Sequence, residues 1–211
     1  MHVAMIGTGY VGLVSGACFA DFGHRVVCVD ADLDKIDALA RGEIPIYEPG
    51  LKELVSKNVN EGRLAFAKSL EESARAADAV FISVGTPSRR GDGHADLSHV
   101  YAAVRAIVPL LRRFAIVITK STVPVGTGDE IERVICEMRP EADALVVANP
   151  EFLREGAAIH DFKHPDRIVV GTDDERARKV MAEIYRPLSL VAKSIYGHLC
   201  PRRRRIYRAF R

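Results

Sequence analysis

The segment Gly7-Thr-Gly9-Tyr-Val-Gly12 limits the possible folds of this chain more than any other. It follows a short apolar run at residues 3–6 and opens a second one, over residues 10–22, that has the character of a helix. Strand, glycines and helix in that order turn a weak pattern into a specific one. Gly7 permits a tight turn, Gly9 lets a pyrophosphate approach the backbone, and Gly12 lets helix and strand pack closely. The helix start at Tyr10 and Val11 offers amide donors and a positive dipole end to phosphates. Asp30 closes the next apolar strand, at residues 25–29. A carboxylate there accepts hydrogen bonds from ribose hydroxyls and repels a 2′-phosphate, which favours NAD over NADP. Lys35, a side chain able to hold a phosphate, argues slightly the other way; NAD remains the expected cofactor.

Strand and helix signals alternate along the rest of the chain. Further strands are expected at residues 64–67, 79–84, 115–119, 144–148 and 167–171. Helices are expected at 33–40, 51–60, 70–77, 97–113, 128–138 and 173–185. This alternation predicts an α/β fold, a doubly wound Rossmann-type parallel sheet with helices on both faces. A chain of 211 residues has room for one such domain and a short appendage. No apolar run approaches the roughly 20 residues of a membrane helix, and no signal-peptide pattern opens the chain. The expectation is a cytoplasmic protein with no membrane partner.

Cys18, Cys28, Cys136 and Cys200 are scattered, without Cys-x-x-Cys or zinc-like spacing. Cys18 and Cys28 fall in apolar elements and read as small buried hydrophobes. His94, Asp92, Asp96 and His99 fit a solvated loop and a helix cap better than a metal site, and His160 and His164 frame a loop. No metal is expected. Charge is uneven: beyond Glu183 there is no acid, while Arg186, Lys193, Arg202, Arg203, Arg204, Arg205, Arg208 and Arg211 are basic. Removing those 8 from the 30 basic residues leaves 22 against 28 acids, a net −6 for the body. The basic end, with Tyr207 and Phe210, has the makings of a phosphate-binding cluster. A short run of this kind is more often a solvated tail, and no nucleic-acid partner is expected.

Three strand ends carry polar groups. Val84-Gly-Thr86-Pro87 and Lys120-Ser-Thr122-Val-Pro124 place hydroxyls where a nicotinamide or a water would be oriented. Turn chemistry accounts for either alone, but their repetition along one sheet edge favours a site. The third, Asn149-Pro-Glu151-Phe152-Leu153-Arg154-Glu155, sets two carboxylates around an arginine. Ligands of open α/β sheets bind at the carboxyl ends of the strands, where this segment belongs. A carboxylate near a water can act as general base, and Arg154 beside it would help keep both acids ionised.

With Pro45-Ile-Tyr-Glu-Pro-Gly50 added, these ordered motifs make the chain resemble the N-terminal NAD-binding domain of the UDP-glucose/GDP-mannose dehydrogenase family over about residues 1–187. Their forms, with Pro165-Asp-Arg-Ile-Val-Val-Gly171, resemble the UDP-glucose 6-dehydrogenase branch more than the GDP-mannose branch. The resemblance implies NAD-dependent oxidation of UDP-glucose to UDP-glucuronate in two hydride transfers. It implies that Gly7, Gly9, Tyr10, Val11, Gly12, Asp30, Lys35, Thr86, Thr122 and Glu155 hold the cofactor. Thr122, Glu151 and Glu155 would be catalytic, with Thr122 and Glu151 supporting a water and its proton transfers. Residues 151–155 would also contact the sugar nucleotide.

The family further uses a cysteine nucleophile in a C-terminal domain, with an aspartate beside it and a lysine and an asparagine on a long connecting helix. Family dimers form through that helix. None of these is matched here: Cys200 sits between Leu199 and Pro201, ahead of four arginines. Residues 188–211 stop resembling the family, so a truncated or frame-shifted product, inactive alone, is the expectation. The alternatives are a fragment acting on GDP-mannose or another nucleotide sugar, and a non-catalytic NAD-binding module.

Overall fold

A computed structural model describes residues 1–188 except 90, 92, 112 and 113, and the backbone at 193–197 and 208–209. Asp92, Cys200, Tyr207, Phe210 and the run of four arginines therefore lie outside the described residues. In chain order the elements are β1 (His2–Ile6), α1 (Tyr10–Asp21), β2 (Arg25–Val29), α2 (Leu33–Ala40), α3 (Leu51–Asn60), β3 (Leu64–Phe66) and α4 (Leu70–Ala76). They continue with β4 (Ala79–Ile82), α5 (Ser98–Ile107), β5 (Phe114–Thr119), α6 (Thr127–Met138), β6 (Asp143–Ala148) and α7 (Ala158–Lys163). The last are β7 (Arg167–Gly171), α8 (Glu175–Ile184), β8 (Lys193–Gly197) and β9 (Arg208–Ala209).

The strands lie in the order β3-β2-β1-β4-β5-β6-β7-β8-β9. From β3 to β6 all neighbours are parallel. The direction of winding reverses between β1 and β4, the switch point at which doubly wound folds bind dinucleotides. Alternate residues on the central strands feed two cores, as the period of two requires. Val3, Met5, Phe81, Ile116 and Ile118 pack on one face with α1. Ala4, Ile6, Val80, Ile82 and Val117 pack on the other with α5 and α6. Nine consecutive residues of α1, Gly12 to Ala20, are buried, so this helix is covered on all sides and fixed against the sheet.

Three features differ from the sequence expectation. β7 runs antiparallel to β6 and meets it at one pair, Ala148 opposite Gly171. Residues 149–166 form a loop and the six-residue α7 instead of a full crossover helix, so the chain turns back over the carboxyl edge. That helix was not anticipated, and it moves His160 out of the expected loop; the His160 and His164 rings stack with centroids 4.8 Å apart. The helix expected at 97–113 ends as an α-helix at Ile107 and continues as a 3₁₀ turn through Leu110, because Pro109 has no amide hydrogen for the α ladder. The segment from residue 188, set apart on composition, contributes β8, parallel to β7, and β9, antiparallel to β8.

Candidate active site

At the switch point the glycines behave as their spacing requires. Gly7 has φ +98° and donates to the Val29 carbonyl at 2.8 Å. A Cβ on Gly12 would stand 2.0 Å from the Gly7 oxygen. A Cβ on Gly9 would meet nothing within 4 Å, so open space faces the start of α1. The helix begins with no side-chain cap and no acid in its first turn, which leaves its positive end to an anion. Tyr10 and Val11, half-buried, form that turn.

Asp30 stands at the end of β2. Its Oδ2 accepts from the Thr8 amide and hydroxyl, both at 2.7 Å, and from Lys35 Nζ at 3.3 Å. Its Oδ1 accepts from the Asp32 amide at 3.1 Å and keeps capacity for a ribose hydroxyl. Burial raises the carboxyl, but the bonds from Thr8 and Asp32 and the charge of Lys35 outweigh it, and Asp30 titrates below the ordinary carboxylate range. Lys35 is thus tied to Asp30, a contact that leaves less of its charge for a 2′-phosphate. These residues fit a dinucleotide of the NAD kind.

Thr86, after β4, donates its hydroxyl to the Thr122 carbonyl at 3.1 Å, joining the two hydroxyl-bearing strand ends. Beyond β6 the Glu151 carboxylate accepts from the Leu153 amide. Leu153 packs on the core, while Phe152 is exposed with the Arg167 guanidinium 5.9 Å from its ring centroid. Arg154 corrects an expectation. It grips Asp161 with Nη2 at 2.7 Å and Nε at 3.0 Å, and the partner that steadies it comes from α7, seven residues on, instead of from Glu151 or Glu155. Arg154 in turn holds the Asp161 carboxyl down at about 2. Glu155 is exposed at the end of the loop.

Two charged residues of the site were not singled out from sequence. Glu48, buried in the turn before α3, accepts from the Tyr10 hydroxyl, the Gly156 amide at 2.9 Å and the Ile159 amide at 3.3 Å. The Tyr10 hydroxyl also lies 3.3 Å from the Arg154 carbonyl and accepts from the Gly156 amide at 3.1 Å. Burial, then the bond to Glu48, pushes the Tyr10 phenol up to about 12. The first turn of α1 is thereby latched to the loop carrying both acids. The second residue is Lys120, at the end of β5. Its Nζ lies 3.4 Å from Asn149 Oδ1 and 3.3 Å from the Tyr185 hydroxyl. Lys120, Asn149, Glu151 and Tyr185 line a cavity of about 500 Å³, with residues of α7 and the start of β7 along its wall. Motif spacing signalled both residues only as parts of longer strings.

The buried thiols of Cys18 and Cys28 are both pushed up to about 12, chiefly by burial. Cys136 is exposed near the end of α6, at the opposite edge of the sheet from the strand ends just described. Among the described residues no group of three or more His, Cys, Asp or Glu is placed to hold a metal, and no helix is long and apolar enough to cross a membrane.

The family model described as UDP-glucose/GDP-mannose dehydrogenase family, NAD binding domain, matches residues 1–189. A UDP-glucose 6-dehydrogenase of Rhizobium meliloti (strain 1021) is 67% identical over 192 residues, covering 90% of this chain and 44% of that protein. Among solved structures, a UDP-glucose dehydrogenase from Pyrobaculum islandicum superposes with TM-score 0.87 at 42% identity, over 93% of this chain and 46% of that one. A GDP-mannose dehydrogenase ternary complex from Pseudomonas aeruginosa gives TM-score 0.89 at 34% identity, over 94% and 47%. The chain thus spans less than half the length of each of these relatives.

Proposed function

The chain belongs to the UDP-glucose/GDP-mannose dehydrogenase family, as its NAD binding domain, and on that premise we propose that it serves the NAD-dependent oxidation of UDP-glucose to UDP-glucuronate. One observation carries this reading. Tyr10, in the turn that would meet the cofactor pyrophosphate, is bonded through its hydroxyl and Glu48 to the loop of Glu151 and Glu155. Cofactor end and acid loop are one construction.

The first turn of α1 would hold the phosphates, Asp30 Oδ1 the ribose, and Thr86, Thr122 and Glu155 the nicotinamide half. When bound, NAD would supply the hydride acceptor for the alcohol carbon and then for the same carbon at the aldehyde level. The Thr122 hydroxyl orients a water, and Glu151 takes its proton. Residues 151–155 hold the sugar nucleotide, its sugar directed at the acids. Cys18 and Cys28, buried and protonated, and Cys136, at the far edge, are unsuited to nucleophilic catalysis. These residues alone are therefore expected to bind NAD without steady turnover. The same reading locates the chain in the cytoplasm.

Calorimetric titration of the chain with NAD, NADP and UDP-glucose, followed by NADH absorbance, tests this. NAD should bind more tightly than NADP, with sugar-nucleotide affinity lost in Glu151→Gln. Equal or tighter NADP binding overturns the cofactor assignment, and steady NADH formation overturns the expected inactivity.

A further inference from the structure

An ammonium taken out of water is kept in a fold only where something offsets its desolvation. Lys120 is 3% exposed, and its two hydrogen-bond partners, Asn149 and Tyr185, are both neutral. The Phe162 ring, with its centroid 5.5 Å from Nζ, adds a weaker attraction. Asn149 is in turn held on every side. Its amide donates to the Thr119 carbonyl at 2.9 Å, its Nδ2 to the Val169 carbonyl at 2.8 Å, and its Oδ1 also accepts from the Tyr185 hydroxyl at 2.6 Å. Two residues further along is Glu151, on the same cavity as Lys120.

Resting on the reading of Glu151 as the water-activating carboxylate, we propose that Lys120 is a positioning residue of the active site: through Asn149 it fixes the root of the acid loop, and it sets its buried positive charge on the cavity that Glu151 also lines. Burial pushes the Lys120 ammonium down to about 8, and the charge of Glu151 works against that fall. The other groups around it cannot replace Glu151. Cys18, facing it from α1, is protonated at neutral pH, with its thiol up at about 12. Tyr185, from the end of α8, is likewise neutral, its phenol pushed up by burial. Asp161 of α7 is held by Arg154, while His160, His164, Asp166 and Arg167 stand at the cavity wall. A structural strut would need the bonds to Asn149 and Tyr185 but would be indifferent to the charge at residue 151.

The test uses the whole chain with ¹⁵N-labelled lysine, the Lys120 Nζ signal being identified by its loss in Lys120→Arg. In Glu151→Gln the Lys120 midpoint should fall from about 8 by roughly one pH unit, because a removed negative charge disfavours the ammonium. Asp166→Asn, on the same cavity, should leave it in place. Glu151→Ala, which removes the same charge, should give the same fall, and it decides the matter should Glu151→Gln fail to fold. An unmoved midpoint, or an equal shift in Asp166→Asn, overturns the role of Lys120. Loss of NAD or UDP-glucose binding in the native chain would instead count against the proposed function and leave these titrations intact.

Discussion

Replacing Lys120 with methionine should make this protein more stable, by an amount that depends on pH. The ordinary lysine value is 10.5, and burial brings Lys120 down to about 8 in the fold. At about 1.36 kcal/mol per unit, the folded state is penalised by about 3 kcal/mol while the unfolded chain holds its proton. A lysine depressed on folding means that the unfolded chain binds more protons between pH 8 and 10.5, so stability rises with pH across that window. Methionine has similar length, and Asn149 Oδ1 retains the Tyr185 hydroxyl at 2.6 Å, so no acceptor is orphaned. Guanidinium denaturation of both proteins at pH 7 and pH 10 gives the comparison. The variant should lead by about 3 kcal/mol at pH 7, and its lead should shrink by about 2.5 kcal/mol by pH 10. The raised thiol of Cys28 and the raised phenol of Tyr10 also affect stability above pH 9, with the opposite sign, but are common to both proteins and cancel. A variant no more stable at pH 7, or a lead that does not change with pH, refutes the reasoning. If the lead is found, the native lysine is held against the stability of the fold, as expected of a residue kept for the site.

Other substitutions probe the rest of the construction. Asp30→Ala removes the acceptor at the end of β2 and should weaken NAD binding by about tenfold or more while narrowing the preference over NADP; unchanged calorimetric affinity contradicts the assignment. Gly12→Ala puts a methyl 2.0 Å from the Gly7 carbonyl oxygen, with the Ser83 Cβ 3.2 Å away, and should lower stability by about 3 kcal/mol in denaturant melts. Glu48→Gln breaks the latch, and deuterium exchange at the Gly156 and Ile159 amides should speed up while that of the β4 and β5 amides does not. The Asp21 carboxyl, raised by burial but lowered more by Lys163 and Lys57, titrates at about 2 against an ordinary 3.8. Its contribution, up to about 2 kcal/mol, is present above pH 4 and lost as pH falls toward 2, so Asp21→Asn should erase that part of the acid sensitivity seen by circular dichroism.

The features that sequence showed well are those whose physics is local. Gly7 and Gly12 are needed by a turn and a contact only a few residues long, and Asp30 ends the strand that pairs with β1. The helix at 97–113 went wrong locally too, through Pro109. Arg154 went wrong for another reason: its acid was sought among its immediate neighbours, but an unforeseen helix brings Asp161 to it.

Sequence alone thus determined the α/β alternation, the glycine loop, the acid at the end of β2 and the string that carries Glu151 and Glu155, because spacing along the chain suffices for a strand, a turn or a helix start. Tertiary structure alone decided that Glu48 would close on Tyr10 and Gly156, 38 and 108 residues away, and that Lys120 would be sealed against Tyr185, 65 residues on. Whether a charged side chain is solvated or buried depends on which strand ends converge and what covers them. That is set by the order of the sheet and the turn of the chain over its carboxyl edge, and no local spacing encodes it.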